Sequence, residues 1–336
     1  MSQSRKNIKF GVIGCSRVAR KYFFPVIQSS EFIKLGFVGS RSKEKAHEWA
    51  SQNNCNFFGH YDEVLESDVD AVYISLPIGL HEEWVIKAAK AGKHILCEKS
   101  STTSYQSAKK MVEICKKNGV RLLEGFAFRF HPQHTLILEY IKNHLLGRLS
   151  SFYGAYGFPP PDPTDIRWQK NLGGGVLNDV TCYPICASRI IFQSEPVSVM
   201  ANLEVDKNYD VDIGNGIMLS YHDNRTAFAV SGFQNYYQST YCVWGSKAML
   251  STKRAYAVTQ NYETSVYFHK DDKINEIPIP AADQFKIMIE SFAKTLLSIE
   301  VPHFNYEEDL LNQAKVLEAI RTSSKKKQLI FLDEIN

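Results

Sequence analysis

Two stretches put reactive side chains where apolar residues or turn formers would be ordinary. Residues 94–103 read HILCEKSSTT: Ile95, Leu96 and Cys97 look like a buried strand, and Glu98 and Lys99 follow where it leaves the core. Strand ends usually close with turn residues, so a carboxylate beside an ammonium raises the question of a ligand. Residues 172–184 read LGGGVLNDVTCYP. The three glycines allow close backbone approach. Asp179 and Tyr183 are four apart, so a helix beginning near Val176 projects both from one face. A phenol there can donate a proton to a carbonyl oxygen as hydride arrives at its carbon. A nearby ammonium, for which Lys99 is the candidate, lowers the phenol's pKa and stabilises the developing alkoxide. Asp179 would orient the tyrosine, the lysine or a substrate hydroxyl. The plainer alternatives are a core tyrosine with a satisfied hydroxyl and an aspartate favoured by the dipole of a first helical turn.

Such chemistry needs elements that position it. The first third of the chain alternates strand and helix. IKFGVIG (8–14), IKLGFVG (33–39), DAVYISL (70–76), KHILCE (93–98) and VRLLEGF (120–126) read as strands. SRVARKYFFPVIQSS reads as a helix that Pro25 kinks or breaks early. KEKAHEWASQNN is a polar helix with Ala46, Trp49 and Ala50 on one side, and another helix runs from about Leu80 to Ala91. YQSAKKMVEICKKNG is a helix ended by Gly119. This rhythm means crossover units and a parallel sheet, in which ligands sit beyond the carboxyl ends of the strands. Glu98 and Lys99 stand at one such end.

The ligand is legible at the first turn. The strand runs into Gly11-Val-Ile-Gly14-Cys-Ser16-Arg-Val-Ala19. A dinucleotide fingerprint wants Gly-x-Gly-x-x-Gly or Ala between strand and helix. Gly14 and Ala19 fit the outer places, and Ser16 replaces the middle glycine with a hydroxyl that could donate to a pyrophosphate. Gly14, Cys15, Ser16, Arg17 and Val18 are the candidate cradle; the alternative is a tight turn with no ligand. NAD binders place an acid after the second strand, where this chain has Gly39-Ser40-Arg41-Ser42. Arg41 can fork onto a ribose 2′-phosphate and Ser40 can donate to it, which predicts NADP (NADPH). The alternative for Arg41 is a solvated residue at a helix start.

After about Gly125 the rhythm changes. HPQHTLILEYIKNHLLG reads as a helix, SSFYGAYGF (150–158) as a strand and PPPDPTDIRWQ as a proline-rich loop. Residues 197–278 are mostly strand-like: Ile217, Leu219 and Tyr221 alternate, as do Phe228 and Val230, with a hairpin signal at Asp223-Asn224. Two helices follow, at roughly 283–298 and 307–324. The expected fold is α/β plus α+β: an N-terminal Rossmann parallel sheet over 1–125 and a C-terminal α+β domain over 126–336 on a large, mostly antiparallel sheet. The second domain supplies the substrate wall, and the uncovered face of its sheet is a natural surface for a homodimer or homotetramer. His131 is expected to line or cap, His134 to be exposed, and neither to hold a metal.

Bulk properties bound the partners. The 336 residues are 44% hydrophobic and 22% charged, with a net charge of +3, so nucleic acid and anionic membrane exert no strong pull. The Lys325-Lys326-Lys327 run reads as a solvated helix end. The seven cysteines form no CxxC pair, and the spacing of Cys182 and Cys186 suggests packing. No apolar signal core precedes the first strand and no apolar run reaches transmembrane length; a cytoplasmic enzyme with reduced thiols is expected.

Taken together, GVIGCSRVA (11–19), LPIGLH (76–81), AGKHILCEK (91–99), EGFAFRFHPQ (124–133) and LGGGVLNDVTCYP (172–184) resemble the glucose–fructose oxidoreductase/inositol dehydrogenase/MocA family. Within it, FPPPDPTDIRWQ and the SRS after the second strand look most like NADP-dependent 3-ketoreductases of nucleotide-linked deoxysugars. The resemblance implies that Lys99 sits by the nicotinamide and the substrate carbonyl, and Glu98 near the nicotinamide-side ribose. It implies that Leu76, Pro77 and His81 flank the cofactor, and that Arg167 and Trp168 reach cofactor or substrate from the second domain. It makes Tyr183 the proton donor where many relatives keep histidine. The family usually reads Glu-Lys-Pro; this chain reads Glu98-Lys99-Ser100, which leaves open whether the bond after the lysine is cis and whether Lys99 is re-aimed. The implied activity is NADPH-dependent reduction of a keto group on a nucleotide-linked sugar. The rivals are an NADP-dependent free-sugar or trans-dihydrodiol dehydrogenase, and a non-catalytic NADP-binding regulator.

Overall fold

The computed structural model describes residues 6–336. The chain divides into two compact units, Met1–Ala127 with Phe285–Leu311, and Phe128–Gln284 with Asn312–Asn336. This differs from the expected boundary, which placed everything after 125 in the second domain. The reason is local. Arg121 donates through Nε and a terminal nitrogen to the two oxygens of Glu307 at 2.9 and 3.1 Å, and the Leu122 N–H donates to the same carboxylate at 2.9 Å. Tyr22 stacks on Phe285 with ring centroids 4.1 Å apart. A charge-assisted fork and an aromatic stack thus tie the later segment to the first unit.

The first unit runs β1 (Ile8–Ile13), a π-helical turn (Ala19–Phe23) continuing into α1 (Phe24–Ser29), β2 (Ile33–Gly39), α2 (Lys43–Gln52), β3 (Phe58–Gly59) and α3 (Tyr61–Glu66). It continues with β4 (Ala71–Ile74), α4 (His81–Lys90), β5 (His94–Glu98), α5 (Tyr105–Lys117) and β6 (Leu122–Gly125). The six strands lie in the order β3-β2-β1-β4-β5-β6, every pair parallel. That order reverses between β1 and β4, the crevice where doubly wound sheets bind ligands. The helix starts obey local chemistry: Ser42 accepts from the Lys45 N–H at 3.1 Å and Ser104 from the Ser107 N–H at 3.1 Å. Pro25 lies inside a helix that runs without a break from the π turn into α1, so the helix does not end there; the wider π turn, closed by the Phe24 N–H on the Ala19 carbonyl, lies directly before it. β3 and α3 had no expectation, being too short to show a period.

The second unit contains α6 (Pro132–Lys142), β7 (Leu149–Gly157), a π-helical turn (Leu177–Thr181) leading into α7 (Cys182–Phe192), β8 (Ser198–Val205), β9 (Asp212–Ser220) and β10 (Thr226–Gly232). β11 (Gln238–Gly245), β12 (Met249–Thr252), β13 (Thr264–Lys270) and β14 (Lys273–Ile279) follow. The chain then returns to the first unit with α8 (Gln284–Leu296) and the start of α9 (Tyr306–Lys326), and the rest of α9 and β15 (Ile330–Phe331) belong to the second unit. The nine-stranded sheet has the order β14-β13-β12-β11-β7-β10-β9-β8-β15. Only the β7–β10 pair is parallel. One face is core, with Phe152, Leu219, Ala227 and Val243 at most 1% exposed. On the other face the register aligns Met200, Met218, Phe228 and Tyr153. Tyr153 stacks on Phe228 at 5.2 Å, and Val230 and Trp244 are 56% and 53% exposed.

Contrary to expectation, His134 is buried. Its ring meets the Tyr241 hydroxyl at 2.7 Å and the Ala255 carbonyl at 2.9 Å. His131 is the N-cap of α6, its Nδ1 accepting from the Gln133 N–H at 3.3 Å. Burial pushes the His131 pKa down from 6.5 to about 4, so the folded state keeps it neutral while the unfolded state gains a proton as pH falls below 6.5. Its contribution is therefore complete above that value and is lost as pH falls toward about 4. We expect His131→Asn, which preserves an acceptor at the cap, to flatten the fall in unfolding free energy with acidification by up to about 1.4 kcal/mol per pH unit. Denaturant titrations at several pH values across this window measure it; superimposable slopes would contradict a neutral buried His131.

Candidate active site

The carboxyl end of the parallel sheet collects most of the predicted residues of the first unit. Gly14 closes β1 with φ +109°, and a side-chain carbon there would lie 2.9 Å from Leu76 Cδ2 and 3.1 Å from the Ser75 carbonyl oxygen. Only glycine suits that conformation and that approach. Ser75 Oγ donates to the Gly14 carbonyl at 2.7 Å, pinning the turn to β4. Ser16 accepts from the Ala19 N–H at 3.0 Å, so it starts the helix while keeping its own O–H to donate. Arg17 and Val18 are exposed on the turn. Burial raises the Cys15 thiol to about 11, with Lys45 the largest opposing influence. The turn thus carries an inert thiol and has a cation nearby that the sequence reading passed over.

After β2, Ser40 is buried and Arg41 exposed beside the Tyr61 phenol. Burial raises the Tyr61 pKa, and Arg41 is the first influence against it. The donor set here is hydroxyl, guanidinium and ammonium, which fits a phosphorylated ribose. Together with the glycine turn opening a helix, the first unit fits a phosphorylated dinucleotide.

At β5, Glu98 is 9% exposed and accepts from the Tyr73 hydroxyl at 2.6 Å. Burial raises the carboxyl pKa, against the pull of Tyr73 and Lys99. The Lys99–Ser100 peptide is cis. Lys99 itself is half-buried. Around it, the Ser101 N–H donates to Glu124 at 2.7 Å. The fully buried His81 ring lies 2.8 Å from the Leu76 carbonyl and 3.1 Å from the Ser100 carbonyl. His81 thereby joins the turn after β4, which carries half-buried Leu76 and Pro77, to the turn after β5. Burial lowers its pKa to about 4. A neutral imidazole has one N–H, so it donates to one of these carbonyls and only approaches the other.

In the second unit, the triple glycine serves the chain's own side chains. Gly175 has φ +109°, and a side chain there would collide with the Asp212 carboxylate. That carboxylate accepts from the Leu177 N–H at 2.5 Å and so caps the helix carrying Asp179 and Tyr183. Burial raises the Asp212 pKa, opposed first by the Leu177 N–H. Nothing in the spacing of Asp212 singled it out. Asp179 accepts from Arg167 Nε at 2.6 Å, and Asp165 grips the same guanidinium at 3.1 and 3.2 Å. Burial works against the Arg167 charge, but the two carboxylates outweigh it and raise its pKa. Arg167 and Asp179, expected to act separately, form one ion pair. Trp168, expected to reach a ligand, is a core residue with Val176, Val180, Val211 and Phe233, and donates to the Pro161 carbonyl at 3.4 Å. Tyr183 is half-buried in an aromatic cluster, 5.3 Å from Tyr156 and 5.6 Å from both Phe128 and Tyr256, centroid to centroid.

Comparison with known proteins agrees with both units. Residues 8–126 match the GFO/IDH/MocA oxidoreductase family, NAD-binding Rossmann fold, and residues 134–251 match a GFO/IDH/MocA C-terminal domain. A dTDP-3,4-didehydro-2,6-dideoxy-alpha-D-glucose 3-reductase of Actinomadura kijaniata is 32% identical over 319 residues, 95% of this chain and 96% of that protein. A D-xylose 1-dehydrogenase (NADP(+)) of Haloferax volcanii is 30% identical over 327 residues, 96% and 99% of the two chains. The crystal structure of a 3-ketoreductase from Actinomadura kijaniata with NADP and TDP-benzene matches with a TM-score of 0.90 at 32% identity, covering 94% of this chain and 98% of that one. A Rossmann unit with its glycine turn intact, joined to the partner sheet of the same group of enzymes, places the chain in the GFO/IDH/MocA family of oxidoreductases.

Proposed function

We propose that the protein is an NADPH-dependent reductase of a keto group on a nucleotide-linked deoxysugar. The observation that carries this reading is the similarity, along 95% of the chain and through both units, to a reductase of a dTDP-linked didehydro sugar. NADPH, when bound, supplies the hydride. Gly14, Cys15, Ser16, Arg17 and Val18 would cradle its pyrophosphate. Ser40 and Arg41 would take its 2′-phosphate, Leu76, Pro77 and His81 would flank it, and Glu98 would meet its ribose. Tyr183 donates the proton to the carbonyl oxygen, and Lys99 stabilises the negative charge that develops there. Asp179 holds Arg167 on the helix that carries Tyr183, and Arg167 would turn its remaining donors to the ligand. Oxidation of a free aldose is the second reading, favoured by the 30% identity to the D-xylose dehydrogenase.

All seven cysteines are free, which fits a reducing cytoplasm, and no helix of the described residues is long and apolar enough to cross a membrane. We also propose that the sheet face bearing Tyr153, Phe228, Val230 and Trp244 is covered by a second copy of the chain. Tyr153 and Phe228 lie opposite each other on neighbouring strands, Val230 is two residues along from Phe228, and Trp244 is on the next strand beyond Tyr153, an exposed apolar patch of the kind that marks an interface.

Three outcomes follow. Tyr183→Phe should lower kcat for keto-sugar reduction by about two to four orders of magnitude, read from NADPH consumption; near-normal turnover would remove Tyr183 from the role. Arg41→Ala should lower kcat/KM for NADPH by about ten- to a hundredfold and leave that for NADH nearly unchanged; equal losses with both cofactors would refute the 2′-phosphate assignment. Val230→Asp should turn an oligomer into a monomer by light scattering after gel filtration, whereas an unaltered mass would exclude this face.

A further inference from the structure

Two loops of the second unit hold a cation between aromatic rings that nothing above employs. Arg254 follows β12, with its guanidinium 4.8 Å from the Tyr237 ring centroid and 5.2 Å from that of Tyr262. Tyr237 lies between β10 and β11 and Tyr262 before β13. No carboxylate pairs with Arg254 among the described residues, and it remains partly open to solvent. Beside it in sequence to Tyr237, Tyr236 is 93% exposed, so its ring contributes no packing to the fold.

The segment carrying Arg254 is neither strand nor helix, yet its backbone is tightly held. Gln133 Nε2 donates to the Arg254 carbonyl at 2.9 Å while its Oε1 accepts from Thr252 Oγ1 at 2.9 Å. The His134 ring meets the Ala255 carbonyl at 2.9 Å. The Ala255 N–H donates to the Ser239 carbonyl at 2.7 Å and the Tyr256 N–H to Ser239 Oγ at 3.2 Å. Gln133 and His134 are almost fully buried. Two costly buried polar side chains thus fix a loop whose outward product is a guanidinium flanked by phenols. The same loop carries Tyr256, whose ring lies 5.6 Å from that of Tyr183.

We propose that Arg254, with Tyr236, Tyr237 and Tyr262, forms the subsite for the nucleoside diphosphate of the substrate. The inference rests on the reading of the substrate as nucleotide-linked. A guanidinium without a carboxylate partner forks onto diphosphate oxygens. An exposed phenol ring stacks on a base, a contact that tolerates different bases. Tyr256, two residues after Arg254, packs its ring 5.6 Å from that of Tyr183, so the loop that would hold the diphosphate also borders the proton donor. The buried imidazole and amide of α6 prepare the cation in advance, so less ordering is required when the ligand arrives.

The test is calorimetric titration of the NADPH-saturated protein with thymidine 5′-diphosphate and with inorganic pyrophosphate. Arg254→Gln should weaken both ligands by about ten- to a hundredfold. Tyr236→Ala should weaken thymidine diphosphate by about tenfold and leave pyrophosphate unchanged. A wild-type circular dichroism spectrum and thermal unfolding curve in both variants confirm that the second unit, which carries the substitutions, is folded. Wild-type affinity for thymidine diphosphate in both variants would overturn the subsite while leaving the substrate reading in place. A wild-type protein that binds NADPH but not thymidine diphosphate would overturn the nucleotide-linked reading itself, and the subsite with it.

Discussion

The geometry around Lys99 depends on one buried imidazole. His81 stands at the first residue of α4 and spans from the Leu76 carbonyl to the Ser100 carbonyl, across the ends of two neighbouring parallel strands. Strand ends have no ladder to hold them, so a side chain must do it. Two further contacts reinforce the arrangement from either side: Tyr73 on β4 donates to Glu98, and Glu124 on β6 accepts from the Ser101 N–H. Each lies in a desolvated setting where a lost partner leaves a polar group stranded. The lysine is therefore aimed by residues that need never touch a substrate.

The second unit applies the same logic with different residues. Asp212 on β9 caps the helix of Asp179 and Tyr183, and the absence of a side chain at Gly175 is what admits its carboxylate. Gln133 and His134 hold the backbone of the loop carrying Arg254 and Tyr256. In both units, buried polar groups fix irregular backbone where secondary structure ends, and the candidate reactive groups emerge from those places. The two π-helical turns occur at two of them, after the glycine turn and before Tyr183, consistent with the tendency of such turns to mark functional sites.

Much of this was legible from residues alone. The parallel sheet followed from the alternation of strand and helix patterns, and Gly14 from its place between them. The preference for a phosphorylated dinucleotide was read from Arg41 standing where an acid would be. The partners were not legible. Asp212 lies 35 residues beyond Leu177, and no periodicity announces a carboxylate that caps a distant helix. His134 read as exposed because a histidine carries no sign of burial until its Tyr241 and Ala255 partners are known. Trp168 and Arg167 are adjacent in sequence, but one turned into the core and the other to two aspartates. The reach of the first unit into 285–311 was hidden because the Arg121–Glu307 fork joins residues 186 apart.

That fork has a bearing on how the protein can be divided. The first unit is not a continuous stretch of polypeptide: the chain leaves it after Ala127, returns at Phe285 and leaves again after Leu311. A fragment stopping at Ala127 would keep every strand of the parallel sheet but lose the carboxylate that Arg121 and the Leu122 N–H require, and bare the Tyr22 ring. A fragment meant to carry the whole first unit must therefore include residues 285–311 as well as the parallel sheet.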